Sequence, residues 1–172
     1  MADPMPGVAI RRATRSDVAE IRTMVVELAL YEREPPERIL LTEADLLRDA
    51  FGPKPACEIL IAEKNEGSIL GFTLFCPNYS TWEGCPGIHI EELYVRDAAR
   101  GTGLGRRLMA AVAAIAASRG CRRVDLNVLH WNPAKQFYER IGLYLLDEWQ
   151  HYRLDGAALA ALASEAAAAG SD

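Results

Sequence analysis

The chain has 172 residues and a formal net charge of −5, half of its residues apolar and a quarter charged. That length and balance fit one compact domain with a real core and fill two poorly. No apolar run approaches the roughly 18 residues of a membrane span, the opening MADPMPGVAIRR lacks the basic-then-apolar order of a secretory signal, and the 19 basic residues are scattered rather than gathered on one face. A cytoplasmic protein is expected, with neither a membrane nor a nucleic acid as partner.

In chain order, VAIRRA (8–13) alternates like a short strand. Thr14 or Ser16 can cap the following helix and Asp17 suits its positive end. Val18, Ile21, Val25, Leu28 and Tyr31 give that helix an apolar face, and Pro35 and Pro36 forbid its continuation. TEADLLRDAFG repeats the grammar: Thr42 and Asp45 resemble a capping box and Gly52 follows the last turn. EILIAE (58–63) and SILGFTLFC (68–76) read as strands around the hairpin signal KNEG.

GIHIEELYV (87–95) is another strand. Its apolar alternation changes phase between Ile88, Ile90 and Leu93, Val95, which fits a bulge at Glu91–Glu92. A helix over 104–119 carries Leu104, Leu108, Val112 and Ile115 on one stripe and closes at Gly120. RRVDLNVL (122–129) reads as a strand, and PAKQFYERIG (133–142) as a short helix with Ala134, Phe137 and Ile141 turned inward. LYLL and QHYRL read as a final strand pair, and the Ala-rich segment from Gly156 as a fraying helix. The order β-α-α-β-β-β-α-β-α-β-β describes a mixed sheet with helices on both faces, some strands paired in parallel.

Cys57, Cys76, Cys85 and Cys121 show neither CxxC pairing nor metal-ligand spacing with the three histidines, so free thiols and no metal are expected.

The stretch VRDAARGTGLGRRLM (95–109) sets Gly101, Gly103 and Gly105 at the mouth of a helix. The first N–H groups of a helix have no internal partner and carry its positive end, so a phosphate there is satisfied by several donors. Glycine lets an anion approach closely, and Arg100, Arg106 and Arg107 add charge; a merely loose turn would use the same glycines. The spacing is neither that of a P-loop nor that of the dinucleotide fingerprint.

RGTGLG (100–105) is similar to the R/Q-x-x-G-x-G/A signature of the GNAT superfamily of N-acetyltransferases. ELALYE, ILLTEADLLRDAFG, YSTWEGCPGIHIEELYV and WNPAKQFYERIG resemble its diamine (spermidine/spermine) acetyltransferase branch, over roughly residues 8–155. The resemblance implies an α/β (α+β) GNAT fold, a mixed and mostly antiparallel sheet with helices on both faces. It implies a single domain over 7–155, with 156–172 as an Ala-rich helix or frayed tail. The activity implied is acetyl-CoA-dependent transfer to a primary amine by direct attack in a ternary complex, by a homodimer and without metal.

The resemblance also implies roles for residues. Arg100, Gly101, Thr102, Gly103, Leu104, Gly105 and Arg106 hold the coenzyme diphosphate. Leu93, Tyr94 and Val95 pair with the pantetheine arm, and Asn132 and Lys135 add coenzyme contacts. WNPA is one residue short of the family spacing, so that Trp131 rather than Asn132 falls seven before Tyr138. Tyr31, Glu32, Glu91, Glu92 and Trp82 bind the acceptor; Trp149 is a further candidate wall for its methylene groups.

The chemistry asks for an acid and a base. An alkylammonium has a pKa of roughly 10.4, so about one molecule in a thousand is free amine near neutral pH; a carboxylate can hold the cation and pass on its proton. Glu91 is the candidate, with Glu92 either a partner or a solvated strand residue. A thiolate leaving group takes a proton from a phenol, for which Tyr138 stands in the family's general-acid position. Other readings are an amino acid or its thia-analogue, an aminoglycoside or a protein lysine as acceptor, or a CoA-binding sensor without turnover.

Overall fold

A computed structural model describes residues 5–65 and 67–169. Glu66 of the KNEG turn and residues 170–172 of the expected tail lie outside them. The chain divides into two compact units, one ending at Lys135 and the other beginning at Gln136.

In the first unit, β1 (Val8–Arg12), β2 (Glu58–Lys64), β3 (Ile69–Ser80), β4 (Cys85–Val95) and β5 (Val124–Leu126) form one sheet in that order. The first three pairings are antiparallel and β4–β5 is parallel. Alternation along β2 divides the core: Ile59 and Ile61 point to one face, Leu60 and Ala62 to the other, all four buried. On the first face lie α1 (Val18–Tyr31) and α2 (Glu43–Asp49), whose Val18, Ile21, Met24, Leu28 and Leu46 pack with Ile59, Ile61, Phe72 and Tyr94. On the other lies α3 (Leu104–Ser118), burying Leu104, Leu108, Met109, Val112 and Ala116.

The expected caps form where they bear on the site. In α2 the Asp45 N–H donates to Thr42 Oγ1 (3.1 Å) and the Thr42 N–H to Asp45 Oδ2 (3.0 Å). Before α1, Asp17 accepts from the Thr14 N–H (2.7 Å) and is held by Arg11 (2.8 Å), whose guanidinium brings the carboxyl down to about 2. After α1, Arg33 takes a left-handed conformation (φ 63°), a helix stop usually given to glycine. Its guanidinium stacks 4.4 Å from the Trp131 ring centre, a contact that offsets part of the roughly 1–2 kcal/mol such a backbone costs a side-chain-bearing residue.

The phase change in GIHIEELYV is a bulge. Ile90 opposes Phe75 and Glu92 opposes Leu74, leaving Glu91 as the additional residue. Pairing of β4 with β5 spans Ile88–Ile90 and stops where the bulge begins. β5 is therefore shorter than the 122–129 run suggested.

α4 (Ala134–Arg140) forms, with the Leu143 N–H closing on the Tyr138 carbonyl (3.0 Å) across Gly142 (φ 102°); Ala134, Phe137 and Ile141 are its covered side, none of them fully buried, while Lys135, Gln136, Glu139 and Arg140 are exposed. One expectation about the second unit is corrected. LYLL and QHYRL form no strand. A strand needs a partner for its N–H and C=O groups, and this stretch has turn bonds instead, with Tyr144 and Leu145 about four-fifths exposed. α5 (Gly156–Ala169) is the expected Ala-rich helix. No described helix is long and apolar enough to cross a membrane.

Candidate active site

At the bulge two adjacent carboxylates leave β4. Glu91 is exposed and Glu92 half-buried. Burial pushes the Glu92 carboxyl up to about 7, and the charges of Glu32 and Glu91 add to the shift. Glu32, just past the end of α1, is itself raised by burial and then by Glu34. The fold thus gathers Glu32, Glu91 and Glu92 where the end of α1 meets the β4 bulge. Such a cluster is costly in an apolar setting and becomes favourable when a cation joins it.

Beyond the bulge, β4 has one free edge. The Arg96 N–H donates to the Leu70 carbonyl on β3 (2.9 Å), so by alternation the polar groups of Val95 and Leu93 point away from β3. On that side β5 has already ended. An extended amide chain laid there would find the N–H and carbonyl of Leu93 and the N–H of Val95, whose carbonyl already accepts from Arg100 Nε.

The strand leads into the glycine turn. Gly101 (φ 76°) and Gly103 (φ 87°) are left-handed, and a side chain on Gly101 would enter open space. Gly103 caps α3 without a side-chain hydrogen bond. The first intrahelical bond runs from the Arg107 N–H to the Gly103 carbonyl (3.1 Å), which leaves the N–H groups of Leu104, Gly105 and Arg106 without an acceptor inside the helix. The Leu104 side chain is buried and anchors the turn; the Thr102 hydroxyl donates to the Ala99 carbonyl (2.6 Å) and shapes it. Uncapped donors, left-handed glycines and the exposed Arg106 fit a diphosphate.

Arg100 is engaged elsewhere. Its Nε donates to the Val95 carbonyl (2.8 Å), it pairs with Asp97, and its guanidinium stacks on Tyr31 with Tyr94 alongside. Asn132 is buried, and its Oδ1 accepts from the Ala134 N–H (2.9 Å) at the start of α4. In the second unit Tyr138 is half-buried on α4, its ring tilted against Phe137 at 5.2 Å between centres.

The sequence model of the acetyltransferase (GNAT) family matches residues 18–143. The chain belongs to that family. A thialysine N-epsilon-acetyltransferase from Sus scrofa is 35% identical over 172 residues, 94% of this chain and all of that protein. A human spermidine/spermine N(1)-acetyltransferase-like protein 1 is 35% identical over 135 residues, 75% of this chain and 19% of that protein. Among solved structures, an integron cassette protein from V. cholerae superposes with a TM-score of 0.76 at 27% identity, covering 92% of this chain and 99% of that one. This GNAT chain is an acyltransferase, an N-acetyltransferase acting on amines, and acetyl-CoA is the family's acetyl donor.

Within this GNAT chain the structure brings together Tyr31, Glu32, Glu91, Glu92, Leu93, Tyr94, Val95 and the 100–106 turn. Tyr94 differs from its strand neighbours: its ring is buried in the core. Lys135 is exposed in the first turn of α4. Trp82 is separate, nearly nine-tenths exposed at the tip of the β3–β4 hairpin. The six residue steps from Cys85 to Glu91 put that tip about 20 Å from the bulge. Trp149 lies exposed in the second unit. Sequence reasoning missed the stack of Arg33 on Trp131 and the turn of Arg100 toward Tyr31, for an arginine in a glycine-rich turn carries no signal of which way it folds.

Proposed function

We propose that the protein transfers the acetyl group of acetyl-CoA to the terminal primary amine of a small aminoalkyl substrate of the thialysine or lysine type. The observation that carries this reading is the carboxylate cluster, with half-buried Glu92 facing Glu32 at the bulge, directly before the free edge of β4. Its chemistry suits an alkylammonium, and the activity for which the pig relative, matched over its whole length, is named supports the class. Diamines are the second reading, favoured by three carboxylates standing together; a chain with two cations would answer more of that charge than one would.

Acetyl-CoA supplies an activated acetyl thioester. The Leu104–Arg106 N–H groups would hold its diphosphate, and the outward groups of Leu93 with the Val95 N–H would orient its arm. Glu92 and Glu91 bind the ammonium and take its proton toward solvent, freeing the lone pair. N–H donors along β4 stabilise charge growing on the carbonyl oxygen. The general-acid role, a proton given to the departing thiolate, is one that the family resemblance alone gives to Tyr138. Holding both substrates in one complex contributes through orientation, for which about 7–11 kcal/mol is available in favourable cases.

Residues 7–155 are read as one catalytic domain, with 156–172 outside it; the family match over 18–143, which crosses from the first compact unit into the start of the second, supports this. A cytoplasmic homodimer is the assembly we expect.

Thiol release from acetyl-CoA, followed with thialysine, lysine, ornithine, putrescine and spermidine, tests the proposal. Thialysine or lysine should give the highest kcat/KM. Preference for putrescine or spermidine would select the diamine reading, and silence with every amine would overturn both.

A further inference from the structure

Cys57 sits one residue before β2, and Cys76 lies within β3. The pairs Ile59–Leu74 and Glu58–Phe75, carried one step further, set Cys57 opposite Cys76. Hydrogen bonds decide which kind of pair this is. The Ile59 carbonyl accepts from the Ala13 N–H (2.9 Å), so the polar groups of Ile59 face β1, those of Glu58 face β3, and those of Cys57 turn away from β3 again. Accordingly the Cys57 N–H donates to the Asp49 carbonyl (3.3 Å). Opposed residues with outward polar groups are the closer of the two antiparallel kinds, about 4.5 Å between Cα atoms, within the span a disulfide bridges. Both side chains lie on the face that carries Ile59 and Leu74, and both are free thiols.

We propose that Cys57 and Cys76 are a disulfide-forming pair, a reversible modification site on the acceptor face of the sheet, closed by low-molecular-weight disulfides. Cys76 is the more exposed and reacts first. Its thiolate attacks the reagent's S–S bond, forming a mixed disulfide and releasing one thiol. The Cys57 thiolate then attacks the Cys76 sulfur and expels the second thiol. Two protein S–H bonds and one reagent S–S bond are lost, and one protein S–S bond and two small thiols are gained. Two electrons pass from the protein to the reagent.

The surroundings set the pace. Burial pushes the Cys57 thiol up to about 11, with Cys76, Asp49, Glu58 and Glu91 adding to the shift; burial and then Glu91 raise Cys76 as well. Thiolate is therefore scarce near neutral pH, and bridge formation should quicken about tenfold per pH unit between pH 7 and 9.

The full chain incubated with oxidised glutathione tests this by thiol titration and peptide mapping. Trypsin leaves Cys76 and Cys85 on one peptide, so fragment spectra must resolve them. The expected result is loss of two of the four thiols, a Cys57–Cys76 link, no retained glutathione, and full recovery with dithiothreitol. Cys57→Ser should hold one glutathione on Cys76. A link between other cysteines, glutathione persisting on Cys76 of the unsubstituted chain, or four unchanged thiols at pH 9 would each overturn the proposal.

Discussion

The guanidinium carbon of Arg100 lies 4.3 Å from the centre of the Tyr31 ring, while its Nε bonds the Val95 carbonyl. One side chain therefore ties the end of α1, where the acids proposed for the acceptor begin, to the strand edge proposed for the coenzyme. A partly desolvated cation–π contact contributes about 1 kcal/mol. Tyr31→Phe should keep it, and Tyr31→Ala should weaken CoA binding about fivefold in calorimetric titration. Arg100→Lys cannot both stack and reach Val95, so it should behave like Arg100→Ala. A lysine variant with unchanged affinity would sink the idea.

Glu92 should print its titration on the rate. Its carboxyl is raised to about 7, so it is largely protonated below that pH and cannot balance an ammonium. Amine kcat/KM should fall about tenfold per unit below pH 7, and Glu92→Gln should be slow and lack that limb. The stability sign is opposite. A carboxyl raised in the folded state makes folding less favourable as pH climbs from about 4.5 to 7, so Glu92→Gln should melt higher than the parent at pH 8 and alike at pH 4. A limb that survives in the glutamine variant would assign the titration to another group.

The sequence told most about the elements whose local chemistry agrees with their packing. The bulge at Glu91 was readable because a period of two changed phase between Ile90 and Leu93. The Thr42–Asp45 box and the Gly101–Gly105 turn were readable because few other residues do those jobs. The stretch after Gly142 misled because Leu143 to Leu146 is apolar enough for a strand, yet pattern alone does not supply a pairing edge. Glu92 was ambiguous for a related reason: alternation tells which face a residue takes, but not how deeply it is covered, nor that the charge of Glu32, some sixty residues earlier, returns to its neighbourhood.

Asn132 should act through α4 rather than through the coenzyme. Its Oδ1 is engaged by the Ala134 N–H at 2.9 Å, the bond of an N-terminal cap, and losing such a cap costs about 0.5–2 kcal/mol. Asn132→Ala should lower Tm and kcat together with little change in CoA affinity, and Asn132→Asp should restore much of both. If alanine instead raised the coenzyme Kd with Tm unchanged, the family's coenzyme contact would be the better account.

Two left-handed glycines separate backbone strain from ligand approach. Gly101 (φ 76°) and Gly120 (φ 69°) would each direct a methyl group into open space, and each alanine variant should lose about 1–2 kcal/mol of stability for the same backbone reason. They differ in what that space is for. At Gly101 it is the approach to the uncapped start of α3; at Gly120 it lies past the helix's other end. Gly101→Ala should therefore raise the CoA Kd at least tenfold, and Gly120→Ala, matched in stability, should leave it within twofold. Equal weakening by both would mean that strain alone is at work and that no diphosphate rests on the turn.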